Sequence, residues 1–249
     1  MTAKVNYINR QEGFSLLEMA IVLTIVGLLM AGLIPSITGQ IEQQHRSETR
    51  KQLDDIQQAL FGFAISNGRL PCPADGTIPT IAGLENGAGQ EKTSCAAGAN
   101  GGVLPWVTLG VSETDAWGRR FTYRVTPDFA DAVNTNTYAG CTPSPTPSQS
   151  SFALCSKGNL NIGLTAGATN VATDIPAIIV AHGTDGLGAF TPTGQQIQPI
   201  PVASTDQGDN ADNDNNFVSH DFTTSFDDLV VWISPNILLN RMVMAGKLP

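Results

Sequence analysis

Gly13-Phe14-Ser15-Leu16-Leu17-Glu18-Met19-Ala20 opens an apolar run that continues to Ile34 with one acid and no base. The 21 residues from Phe14 to Ile34 would make about 32 Å of helix at ~1.5 Å per residue, enough to cross a hydrocarbon core of ~30 Å. Glu18 is the exception within it. A carboxylate at that depth costs on the order of 2.5–3.5 kcal/mol by insertion scales, so it calls for a partner. Ahead of the run, Lys4 and Arg10 keep the amino terminus on the cytoplasmic side and send the C-terminal mass outward. A cleaved secretory signal is the first competing reading. The run exceeds the usual ~7–15 apolar residues of such signals, and Pro35-Ser36-Ile37-Thr38-Gly39-Gln40 offers no small-residue cleavage site. A plain signal anchor accounts for the length and the basic leader, but not for Gly13 or Glu18.

Gly13-Phe14-Ser15-Leu16-Leu17-Glu18 resembles the processing site of type IV prepilins and type II secretion prepseudopilins. The similarity extends over roughly residues 10 to 65, and its motif is specific because an acid inside a membrane span is rare. It implies that a membrane prepilin peptidase cuts after Gly13 and N-methylates Phe14, and that Glu18 is the charge used in assembly. Gly27 and Pro35 also stand where such helices often carry a loosening Gly and Pro. Cleavage would expose an ammonium on Phe14, one helical turn from Glu18. That ammonium, or a neighbouring subunit's, can answer the carboxylate, and pairing within a packed array relieves a desolvation cost borne in lipid. Gly27 and Gly32 would let apolar helices approach closely.

Beyond Pro35 the helix is expected to kink or locally melt and then continue into water. Residues 40–52 are polar, after which Leu53, Ile56, Leu60 and Phe63 recur as an amphipathic stripe. Ser66-Asn67-Gly68 reads as the stop, with Gly68 as a left-handed cap. The expected organisation is a leader (1–13), a membrane-spanning or filament-core helix (14–35), an amphipathic continuation (36–66) and a periplasmic β-rich domain (67–249). The fold class is α+β, a long N-terminal helix packed on a C-terminal antiparallel β-sheet domain with long disulfide-closed loops.

Strand signals fall at Arg119 to Val125, Ile175 to Ala181 and Phe226 to Ile233. Asp115-Ala116-Trp117-Gly118 is similar to the aspartate–x–tryptophan–glycine turn of major pseudopilins, and His182-Gly183-Thr184-Asp185-Gly186 to their glycine–aspartate–glycine turn. Ser234-Pro235 is a helix start with the serine as cap, so Ile237 to Ala245 should be helical. Major pseudopilins do not usually end that way, which is a departure from their pattern.

The charge balance disfavours one class of partner. Formal net charge is −9, and loss of Lys4, Arg10 and Glu12 with the leader makes it −10. Nucleic acid is therefore excluded as the main partner, because phosphate binding needs a basic footprint. Arg119, Arg120 and Arg124 form a small basic group that reads as exposed strand charge. With 25 Gly, 15 Pro and only 14% charged residues, the distal chain reads as loops and short strands. Four cysteines lie beyond the apolar run and suit an oxidising compartment. Sequence proximity favours Cys72 with Cys95 and Cys141 with Cys155, although all three connectivities stay open. Each bridge would staple a Gly-, Pro- and Ser-rich loop by ~2–4 kcal/mol. No pair has the C-x2-C spacing of a zinc site.

Asp206 to Asp221 holds Asp206, Asp209, Asp212 and Asp214 among several asparagines. Calcium takes about six to eight such oxygens, which makes these four aspartates candidate ligands; a solvated acidic loop is the plainer reading. An EF-hand is excluded, since Phe217 replaces its Gly and Thr223 its bidentate Glu. No cofactor is required. The three histidines, His45, His182 and His220, fall in no hydrolase motif, and His182 beside a Gly turn reads as packed or hydrogen-bonded. The expectation is a non-enzymatic pilin-like subunit, minor pilin or pseudopilin, held in the inner membrane and then in a filament. Its partners would be other such subunits, the prepilin peptidase, an inner-membrane assembly platform and membrane lipid. The alternatives are a pilus-associated adhesin or cargo-binding minor pilin using the loops at 73–104 and 140–158 and, more remotely, a membrane-anchored periplasmic hydrolase.

Overall fold

A computed structural model describes residue 13, residues 15–81, 86–95, 101–131, 138, 141 and 149–248, with the backbone alone for residues 30–38. The chain forms two compact units, Met1–Gln44 and His45–Pro249. One helix, α1 (Leu16–Asn67), supplies residues to both. It starts at Ser15, whose Oγ accepts the Glu18 N–H at 3.2 Å. Serine with glutamate three residues on is a helix-start signature. Helical backbone continues through Pro35, so the local melting expected there does not occur: one missing donor removes a single bond from a ladder of 52 residues. The helix stops where the sequence placed the stop. Gly68 adopts φ 72°, a conformation that costs glycine little, and donates its N–H to Ala64 O at 2.8 Å.

Within the second unit, the α1 residues Leu53, Ile56, Leu60, Phe61 and Ala64 are buried. Phe61 replaces the expected Phe63 on the inner face. The last helix covers the Phe61 flank, setting Arg241 4.2 Å from the Phe61 ring centroid. Phe63 stays half-buried, 5.4 Å from the Arg69 guanidinium.

The stripe packs on a four-stranded antiparallel sheet, ordered β1 (Gly101–Val103), β2 (Thr122–Val125), β5 (Ala177–Ala181), β7 (Leu229–Trp232). Side chains alternate across a strand. Tyr123, Val125, Ala177, Ile179 and Ala181 join the α1 core. Ile178 and Val180 join the opposite one, with Leu160, Ile162, Ile175 and Phe217. This is why β5 reads as an unbroken apolar run: both of its faces are covered. The second core lies under a sheet ordered β4 (Asn170–Ile175), β3 (Leu160–Gly163), β6 (Asn216–Val218). Its β3–β6 pair is parallel, so the all-antiparallel expectation holds for the larger sheet only. Short helices α2 (Trp106–Leu109), α3 (Pro127–Ala130) and α4 (Asp206–Ala211) connect the strands, and α5 (Pro235–Met244) closes the chain. Leu238 and Met242 of α5 enter the α1 core. Ser234 precedes α5 without a side-chain cap bond, because Pro235 at the first helical position already removes one donor.

Two of the arginines are inside the fold rather than on an exposed strand. Arg120 is 1% exposed. Its guanidinium donates to Gly76 O (2.8 Å), Ile78 O (3.0 Å), Thr80 Oγ1 (2.9 Å), Pro192 O (3.2 Å) and Glu113 Oε1 (3.0 Å). Arg124, also buried, holds Asn213 O at 2.8 Å and the Asn213 and Asn215 amide oxygens. A planar five-donor fork can gather carbonyls from several loops, which no strand alternation reveals.

Candidate functional site

The first turns of α1 present an unusual surface. Every large apolar side chain from Leu16 to Leu29 is between 40% and 92% exposed, on all sides of the helix. The only ionisable group among them is Glu18, itself exposed. Thr24 returns its hydroxyl to Ala20 O at 2.8 Å, so its polar group is satisfied within the helix. A Cβ built on Gly27 meets nothing within 4 Å. A helix hydrophobic all round belongs in lipid or among other helices. Gly13 is exposed just ahead of it, and Phe14, the expected methylated residue, lies outside the described residues. Among the described residues no helix is long and apolar enough to cross a membrane; of the expected span from Phe14 to Ile34, Phe14 lies outside them and residues 30–34 are described by backbone alone.

Residues 8–34 match the prokaryotic N-terminal methylation motif. That segment is similar to the amino terminus of type IV prepilins and pseudopilins. Among curated relatives, the type II secretion system core protein G of Pectobacterium carotovorum subsp. carotovorum is 31% identical over 77 residues, 29% of this chain and 49% of that protein. Core protein G of Klebsiella pneumoniae is 33% identical over 67 residues, 27% and 48% of the two chains. That of Escherichia coli (strain K12) is 26% identical over 92 residues, 34% and 63%. The chain spans about half the length of the first two relatives. No solved structure matches it.

The remaining candidates lie in the second unit. Disulfides join Cys72 to Cys95 and Cys141 to Cys155, with Cα separations of 5.4 and 5.1 Å. Much of the loops they close falls outside the described residues. The Asp115–Gly118 turn forms around one carboxylate oxygen, Asp115 Oδ1, which accepts the N–H groups of Trp117 and Arg119 at 2.9 Å each. Thr49 Oγ1 of α1 accepts the Ala116 N–H at 3.2 Å, docking the turn on the helix. Arg119 then donates to Thr184 O at 2.6 Å and to Gly183 O, tying the Asp115 turn to the His182 turn.

His182 is 1% exposed and its Nε2 is 2.8 Å from Thr122 Oγ1. Burial drives its pKa down to about 4, so the ring is neutral at pH 7. On the other side its Nδ1 stands 3.8 Å from Asp228 Oδ1, too far for a hydrogen bond. Asp228 is itself buried, which raises its pKa well above the carboxylate range, and it accepts Asn210 Nδ2 at 2.8 Å. A hydroxyl, an imidazole and a carboxylate thus stand in a row inside the fold. The sequence indicated a packed histidine but not Thr122, Asp228 or Asn210, which come from three separate segments.

The four candidate calcium ligands of the acidic segment are not gathered into one group among the described residues. Among the described residues no group of three His, Cys, Asp or Glu is arranged to hold a metal ion. Asp206 spends both oxygens, Oδ1 on the Ala166 N–H (2.8 Å) and Oδ2 on His220 Nε2 (3.1 Å). Asp212 Oδ1 accepts the Asp214 N–H at 3.0 Å. Asp214 in turn takes the Asn216 N–H at 2.7 Å and Nδ2 at 3.0 Å. Asp212 and Asp214 thus shape the loop's own turns, while Asp206 ties the segment to Ala166 and His220. Asp209 differs from the other three. It is buried, its carboxylate makes no hydrogen bond among the described residues, and its pKa rises to about 6 through burial first, then through Asp214, Asp212 and Asp206.

Proposed function

We propose that this chain is a pilin-like structural subunit, a minor pilin or pseudopilin, assembled into a type IV pilus or type II secretion pseudopilus. Cleavage after Gly13 and N-methylation of Phe14 by the prepilin peptidase precede assembly. Residues 14–35 hold the subunit in the inner membrane, with the second unit periplasmic, and then enter the filament centre. The observation that carries this reading is the all-round exposure of Leu16 to Leu29 with Glu18 alone among them. Such a surface is stable only when lipid or neighbouring helices cover it. Glu18 at the start of α1 is placed to meet an amino terminus, either its own or that of the neighbour. The role is structural rather than catalytic, with motor, peptidase and assembly platform supplied by other proteins.

Two substitutions test it by different readouts. Gly13→Ala should leave the leader attached, so mass spectrometry of the amino-terminal peptide should find the unprocessed chain; a mature chain beginning at Phe14 overturns the processing reading. Glu18→Leu should leave membrane insertion intact while depleting the subunit from sheared filaments. Undiminished incorporation removes the charge-pairing argument.

A further inference from the structure

Asp209, whose carboxylate has no hydrogen-bond partner among the described residues, opens on a cavity of about 460 Å³. We propose that this cavity binds an organic cation, an alkylammonium or guanidinium group, through Asp209 and Asp214. Four observations carry the assignment.

Asp209 is 9% exposed. A carboxylate facing the cavity beside other acids and without a donor among the described residues is destabilised, and an entering cation relieves it directly. The walls are also suitable. Thr165, Ser204, Asn170 and Asn216 supply neutral hydrogen-bonding groups, and the rest is largely Gly and Ala, which leaves room for a side-chain-sized ligand. Asp214 lines the same cavity and adds a second negative charge, though Asn216 holds both of its oxygens in place. The loop shows a matching preference nearby, since Asn213 and Asn215 already hold the Arg124 guanidinium.

A metal ion fits less well. Only two carboxylates line the cavity, one of them already turned to Asn216, and a hard divalent cation asks for about six to eight oxygens. An ammonium or guanidinium needs one or two acceptors and a low-dielectric wall. The cation has two natural sources, a free amine or the lysine or arginine side chain of another protein.

The test is calorimetric titration of the full-length chain in detergent micelles at pH 7.5. The probes are putrescine, N-acetyl-lysine amide, the uncharged N-acetyl-norleucine amide and calcium chloride. Binding of either amine, with none of the norleucine compound, is the expected result. Putrescine binding tighter points to a free amine, and the lysine amide binding tighter points to a protein side chain. Asp209→Asn should weaken amine binding at least tenfold, and Ser204→Trp, which fills the cavity from its wall, should abolish it. Affinity should also fall as pH drops below about 6, where Asp209 takes up a proton. Asp206, Asp212 and Asp214 face it and keep that carboxyl's pKa high, while His220 is turned to Asp206. Absence of amine binding, binding unchanged in both variants, or calcium binding tighter than the amines and lost in Asp209→Asn would each overturn the proposal.

Discussion

The two ends of α1 are built from similar residues and live in opposite surroundings. Leu16, Leu17, Leu23 and Leu28 are 66% or more exposed, whereas Leu53 and Leu60 are at 1% or less. The later leucines meet β-strands and α5, because the chain folds back onto that stretch. The earlier ones belong to the other compact unit and are exposed there. Apolar surface that a chain does not bury for itself must be covered from outside, so the first stretch reads as an assembly or membrane element and the second as a core element. Identical residue types therefore do different things: in the second unit they build the domain core, and in the first they leave apolar surface uncovered.

Substitutions can break this contrast. Arg120→Met should be the most damaging, at about 3–5 kcal/mol, since it strands the Gly76, Ile78 and Pro192 carbonyls inside the domain. Thermal unfolding of the full chain in detergent, followed by circular dichroism, would show it; a loss below about 1 kcal/mol would mean that water replaces the guanidinium. Leu60→Ala should cost about 2–5 kcal/mol by the same measurement, since it leaves a cavity between α1 and the sheet.

Asp209→Asn should act in the opposite direction. The folded-state pKa of Asp209, about 6, stands above the ordinary 3.8. Above pH 6 the folded protein therefore carries an unfavourable buried charge, and below about 3.8 it carries none. The variant should be more stable than the parent by about 1–2 kcal/mol at pH 7.5, after allowance for the cavity mouth, with the gain shrinking below pH 6 and gone near pH 3.5. Paired melts across that range decide it. Smallest is Leu23→Ala, expected to change domain stability by less than about 0.5 kcal/mol. A large drop would show that the exposed stretch already supports the fold, and the contrast would fail.

Local signals survived into the structure wherever one residue's chemistry acts on its neighbours. Gly68 ends α1, Ser15 starts it, and the apolar run of β5 marks a strand covered on both faces. The short strands β3, β4 and β6 were not legible, because Asn, Thr and Asp interrupt them and their pairing is supplied by partners distant in sequence. The acidic segment was legible as a cluster of oxygens but not as turns in which Asp212 and Asp214 serve their own loop while Asp206 reaches back to Ala166.

By itself the sequence determined the amino-terminal character of this protein, since Gly13, Glu18 and the surrounding apolar run act through composition, charge and helical spacing over a few turns. Tertiary structure alone decided which arginines go inside, which aspartate is left without a donor, and that Thr122, His182 and Asp228 line up. Those outcomes depend on burial and on distances between segments tens of residues apart. Desolvation and hydrogen-bond geometry exist only once the segments meet.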